Sequence, residues 1–108
     1  MSDWQTVANT VDIPPERVAV FTVGDHEVAV CNVDGQFYAI DDLCTHDGGS
    51  LDQGYLEGVE IECPRHGARF DVRTGAVTQL PAFEPVATHA VRVDGASIQV
   101  SLEHDGAA

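Results

Sequence analysis

CTHDGGSLDQGYLEGVEIECPRHGARF, residues 44–70, holds two of the chain's three cysteines and two of its five histidines. They fall as Cys44-x-His46, then sixteen residues, then Cys63-x-x-His66. Glycine follows each half, at Gly48 and Gly49 and again at Gly67, where a backbone can turn tightly and bring its amides near a bound group. Between the halves lies VEIEC (59–63), in which Val59, Ile61 and Cys63 alternate with Glu60 and Glu62. That is the periodicity of a strand, and it aims Cys63 inward just before the chain turns away. Each thiol–imidazole pair thus sits in a loop entered from a predicted strand, at 40–42 and 59–63.

The flanking sequence has the same character. RVAVFTV (17–23), HEVAVCNV (26–33) and QFYAID (36–41) are short β-branched runs separated by Gly24-Asp25 and Asp34-Gly35. HAVRV (89–93) and SIQVSL (97–102) flank Asp94-Gly95. These are hairpin signals. In the last run Ile98, Val100 and Leu102 alternate with Ser97, Gln99 and Ser101, as in a half-buried strand. Helical periodicity is absent almost throughout, so an all-β, antiparallel fold is expected. A chain of 108 residues allows one domain, 1–108. Its polar end, EHDGAA (103–108), is expected to fray.

Composition narrows the functional classes. With 44% hydrophobic and 21% charged residues the chain suits a compact globule. MSDWQTVANT has neither the basic start nor the apolar run of a signal peptide. No apolar stretch approaches the ~20 residues of a membrane span, so a soluble, cytoplasmic protein is expected. Eighteen acidic residues stand against five arginines, a formal charge of -13. Such a surface repels a phosphate backbone and argues against nucleic acid. It suits a basic protein partner, or is simply a solvated acidic face. An odd number of cysteines in such a chain points to metal ligation or a buried thiol rather than a disulfide framework.

Cys44, His46, Cys63 and His66 therefore form a candidate four-donor metal site. Thiolate and imidazole suit both iron and zinc. Zinc modules usually pair cysteine with cysteine and histidine with histidine, whereas each loop here mixes them. The one-residue gap in Cys44-x-His46 is awkward around a single tetrahedral ion. A two-iron centre removes the difficulty, because each loop sends its cysteine to one iron and its histidine to the other.

The spacing C-x-H-x(16)-C-x2-H, with glycine after the second histidine, resembles the cluster-binding segment of the Rieske proteins. The likeness extends over essentially the whole chain, and LPAFEP (80–85) resembles the family's proline loop. It implies a Rieske fold: antiparallel sheets with a cluster-binding subdomain, about 42–74, inserted in a β-sandwich-like base domain. It further implies one [2Fe-2S] cluster held by Cys44, His46, Cys63 and His66. Respiratory members link their loops with a disulfide, at positions that are Gly49 and Arg65 here. They also hydrogen-bond the cluster sulfurs through hydroxyls, at positions that are Ala68 and Phe70 here. Without those donors the resemblance implies a potential toward the negative end of the family's range of about -150 to +300 mV.

The implied function is that of a ferredoxin component: a one-electron carrier, not itself an enzyme. It would take electrons from an NAD(P)H-dependent flavin reductase and pass them to a terminal oxygenase, as a monomer and without a membrane. Other acceptors, in iron–sulfur assembly or nitrite reduction, remain alternatives. A structural zinc module or a redox sensor fits the spacing less well. His26, His89 and His104 are left over, with no domain expected to house a mononuclear iron.

The remaining residues have plainer readings. Cys31, mid-strand, reads as a buried structural thiol. His26 and His104 read as solvated and His89 as partly buried, all without a role. Asp41, Asp42, Asp47 and Asp52 suit steering of a basic partner, unless Arg65, Arg69 and Arg73 neutralise them locally. Thr45 and Pro64 either shape their loops or line a docking tip.

Overall fold

The computed structural model describes residues 4–102; the expected fraying of 103–108 lies outside the described residues. Among these residues ten strands follow one another: β1 (Gln5–Asn9), β2 (Val18–Val23), β3 (His26–Val33), β4 (Gln36–Asp41), β5 (Tyr55–Glu57), β6 (Glu60–Glu62), β7 (Arg69–Asp71), β8 (Val77–Gln79), β9 (Thr88–Asp94) and β10 (Ser97–Ser101). One 3₁₀ turn, Thr10–Asp12, is the only helical element among the described residues. Six strands form a sheet in the order β1-β10-β9-β4-β3-β2, and β5-β6-β7-β8 form a second. Every pairing is antiparallel. The all-β antiparallel expectation holds.

The hairpins form where the turn residues place them, with one shift. Gly24-Asp25 and Asp34-Gly35 join β2 to β3 and β3 to β4. The third turn uses Gly95-Ala96 instead of Asp94-Gly95, because Asp94 stays paired with Ser97. Gly95, at φ +63°, then takes the first central position, where a type II′ turn needs glycine.

The chain leaves the larger sheet at Asp41 and rejoins it at Thr88, beside the strand it left: Ala39 pairs with His89 and Ile40 with Thr88. Everything between, including the second sheet, is an insertion at that point. β3 explains how the layers are glued. Ala29 and Cys31 face a cluster with Ile40, Cys44, Leu51, Ile61, Cys63, Ala68, Phe70 and Val72. Val28 and Val30, on the opposite face, join Ile13, Val23, Ala39, Ile98 and Val100. A strand buried on both faces reads as an unbroken apolar run, which is what VAVC shows. Burying each such side chain contributes about 1.5–3 kcal/mol, and fully buried Phe70 is the largest in the set.

Candidate metal centre

β4 feeds the first loop and β6 the second. Asp42 anchors the first: its Oδ1 accepts hydrogen bonds from the Leu51 and Asp52 amides at 2.7 and 2.8 Å. Burial pushes its carboxyl above the usual range despite those donors. The loop closes through Cys44 N–H to Gly49 O (2.8 Å) and Gly48 N–H to Cys44 O (2.7 Å). The second repeats the device, with Cys63 N–H to Ala68 O (2.8 Å) and Gly67 N–H to Cys63 O (3.0 Å). Gly48 and Gly67, at φ +74° and +80°, occupy the left-handed conformation these turns require.

Both loops place cysteine at the root and histidine at the tip. Cys44 and Cys63 are fully buried, while His46 and His66 are exposed. The donor atoms of Cys44 and Cys63, with a carboxylate oxygen of Asp47, lie within 4.8 Å of one another; those of His46 and His66, again with Asp47, form a separate set of the same size. The imidazole centroids are 5.0 Å apart with planes at 82°. Two soft donors in an apolar pocket and two borderline donors facing solvent, held as separate pairs, fit a binuclear centre better than one tetrahedral ion. Burial also raises the Cys44 thiol above its ordinary value, so metal binding there displaces a proton.

Asp47 and Arg65 tie the loops together. Arg65 Nε donates to Asp47 Oδ2 at 2.7 Å, and Nη2 reaches both Asp47 Oδ1 (3.2 Å) and the Ser50 carbonyl (2.8 Å). The guanidinium lies flat over Gly49, where a Cβ would meet its Cζ at 2.5 Å. Arg65 and the Gly49 amide hold the Asp47 carboxyl well below the usual range. Asp47 also meets His66 Nδ1 at 3.3 Å and Cys63 Sγ at 3.6 Å. Of the four acids considered for steering, Asp47 is thus neutralised, Asp42 caps a loop, and Asp41 faces two histidines. Arg69 is similarly engaged by Glu57, Glu60 and Glu62, and Arg73 by Asp71.

Residues 80–85 run beside both loops, pinned at each end. Gln79 Nε2 donates to Gly67 O at 3.2 Å, and Thr45 Oγ1 donates to Glu84 O at 2.6 Å. Thr45 therefore shapes its loop. Leu80 and Phe83 project from this segment, 66% and 82% exposed. No periodicity marks them, so their exposure was not readable from the sequence. Cys31 is buried as expected, and burial, with the Asp42 charge adding, lifts its thiol to about 12. His26 departs from expectation: it is half-buried against Asp41, not solvated, because it begins β3 instead of capping the turn. His104 lies outside the described residues.

The Rieske [2Fe-2S] domain family model matches residues 3–90. The ferredoxin component of biphenyl 2,3-dioxygenase from Rhodococcus jostii (strain RHA1) is 39% identical over 97 residues, spanning 90% of this chain and 91% of that protein. The ferredoxin of carbazole 1,9a-dioxygenase from Nocardioides aromaticivorans IC177 superposes with a TM-score of 0.91 at 41% identity, covering 94% of this chain and 100% of its own. A chain from the complex of reduced oxygenase and oxidized ferredoxin in carbazole 1,9a-dioxygenase gives 0.88 at 37% identity, with 94% and 95% covered. Fold and cofactor together make this an all-β iron–sulfur protein. The chain belongs to the Rieske [2Fe-2S] domain family.

Proposed function

We propose that Cys44 and Cys63 hold one iron of the [2Fe-2S] cluster, that His46 and His66 hold the other, and that the protein carries single electrons to a ring-hydroxylating terminal oxygenase. The observation that carries this reading is the division of the donors into a buried thiol pair and an exposed imidazole pair. Bound there, the cluster supplies reversible one-electron chemistry. The chain's own residues do the rest. Leu51, Ile61, Phe70 and Val72 keep water from the thiol side, and 42–74, within the insertion between Asp41 and Thr88, forms the cluster-bearing part of a single domain. His46 and His66 offer the short exit toward a partner. Leu80 and Phe83 give that end an apolar rim whose desolvation costs little on docking.

Similarity to ferredoxin components of biphenyl and carbazole dioxygenases supports the oxygenase as acceptor. A flavin-dependent, NAD(P)H-oxidising reductase as donor, a monomeric state and a cytoplasmic setting complete the proposal. No helix among the described residues is long and apolar enough to cross a membrane. Ala68 and Phe70, buried and without hydroxyls, predict a negative midpoint potential.

The test combines iron and sulfide analysis, EPR and stopped-flow reduction of an aromatic-ring dioxygenase. Two irons and two sulfides per chain, a negative midpoint and rapid oxidation by the dioxygenase are expected. A positive midpoint, or a reduced protein that the dioxygenase leaves reduced, overturns the assignment.

A further inference from the structure

Three strands that are neighbours in the larger sheet, β9, β4 and β3, each contribute one metal-ligand side chain at the same place. The register dictates this. Asp41 lies opposite Val28, two residues along β3 from His26, and two residues beyond Ala39, which pairs with His89. Residues two apart on a strand share a face, so His26, Asp41 and His89 converge as diagonal neighbours. His26 Nδ1 is 3.3 Å and His89 Nε2 2.7 Å from the same oxygen, Asp41 Oδ1. The rings meet edge to face, with centroids 5.6 Å apart. One donor atom from each residue lies within 4.8 Å of the other two.

We propose that His26, Asp41 and His89 form a second metal site, taking a divalent transition-metal ion of the zinc type. Ligands at about 2.0–2.1 Å from a tetrahedral ion stand about 3.3 Å from one another. The His26–Asp41 separation already has that value, and the His89–Asp41 pair needs to open by about half an ångström. Two imidazole nitrogens and one carboxylate oxygen favour zinc or its transition-metal neighbours over magnesium or calcium, which take oxygen ligands. The His89 side chain is fully buried, which fixes its ring, whereas His26 and Asp41 are about a quarter exposed and leave an approach for the ion and a fourth ligand, water. All three donors come from strands, so their positions are set by the sheet ladder and not by loops. The site is distinct from the cluster donors, which begin at Cys44. A metal there clamps β3, β4 and β9 where the chain leaves and re-enters the larger sheet, at the base of the inserted part.

The experiment is equilibrium dialysis of the iron-loaded protein against ⁶⁵Zn²⁺, with excess Mg²⁺ to occupy surface carboxylates. One zinc per chain, retained beside an intact cluster, is expected. His26→Gln and Asp41→Asn should each weaken retention by more than about tenfold, the low end of what even outer-sphere changes cost a metal site. The cluster's EPR spectrum should not change. Zinc-edge X-ray absorption should then show two imidazoles among the ligands. No retained zinc, or retention equal in His26→Gln and the unaltered protein, overturns the proposal. If Asp41→Asn does not fold, His26→Gln, at the first residue of β3 and partly exposed, decides alone.

Discussion

Gly54 stands where the second sheet approaches its own backbone closely. Just ahead of β5, it lies across from the end of β6, whose last residue, Glu62, pairs with Tyr55 and precedes Cys63. A Cβ at Gly54 would fall on the Glu62 carbonyl oxygen, closer than non-bonded atoms come, with the carbonyl carbon at 3.0 Å and Pro64 Cδ at 3.1 Å. The obstacle is backbone, which cannot swing aside as a side chain can, so relief requires moving β6 by about an ångström. Overpacking costs typically about 1–3 kcal/mol, and an obstacle of this kind belongs at the upper end. Against a total stability of about 5–15 kcal/mol, about 3 kcal/mol lowers the melting temperature by roughly 10–25 °C for a domain of this size. Gly58→Ala is the control. Its φ is +60° with nothing within 4 Å, so alanine there meets only left-handed strain, about 1 kcal/mol. Thermal melts of the two iron-loaded variants, with iron content measured alongside, decide the matter. Gly54→Ala should melt far below Gly58→Ala and hold less than a full cluster, since Cys63 moves with Glu62. If Gly54→Ala melts no lower than Gly58→Ala, the packing argument is wrong.

Other perturbations probe the electronics, the loop tie and the buried thiol. Ala68→Ser and Phe70→Tyr each offer a hydroxyl near the sulfur side; one that donates to the reduced centre should raise the midpoint by on the order of 50–100 mV, taking about 1.5–2.5 kcal/mol for a charge-assisted bond and about 59 mV per tenfold. Potentiometric titration reads this directly, and an unchanged midpoint in both variants removes the missing hydroxyls as the cause of a low potential. Arg65→Ala should release the cluster several-fold faster to a chelator, and the difference should shrink as salt rises, because screening weakens the native pair too. Equal release rates at low salt count against the loop tie. The folded Cys31 thiol keeps its proton up to about 12, against 9.0 for the ordinary thiol. The unfolded chain therefore binds fewer protons above 9.0, and stability should fall as pH rises from there toward about 12. Denaturant melts of Cys31→Ala should lack that part of the alkaline decline; an identical decline rules the thiol out.

The meeting of Cys44 with Cys63 and of His46 with His66 was the most legible feature of the chain, because short, fixed spacings in two matched loops bring such side chains together. Strands β2, β3, β4, β9 and β10 were legible for a similar reason: each is long enough to show periodicity and is bounded by turn residues. β5, β7 and β8, at three residues each, are too short to carry a period, and their pairing follows from the insertion as a whole. The hairpin pattern at Asp94-Gly95 named the right turn but missed its register by one residue. The Asp47–Arg65 pair was visible only as a neighbourhood of opposite charges, and neutralisation was one of two readings. His26 looked solvated because its environment depends on Asp41 and on β9, which lies beyond the whole insertion in the sequence.

The flat stack of Arg65 on Gly49 also bears on how such a centre is built. A bridge between the loops made of charge and shape forms and dissolves without electron transfer. It needs no oxidant to close and no reductant to open, and it persists under reducing conditions where a disulfide would not. Joining or separating the two loops therefore involves no change of oxidation state in the tie itself. Loading of this protein should follow the supply of iron and sulfide and the ionic strength around it, with reducing conditions needed to keep Cys44 and Cys63 as thiols and not to open the bridge.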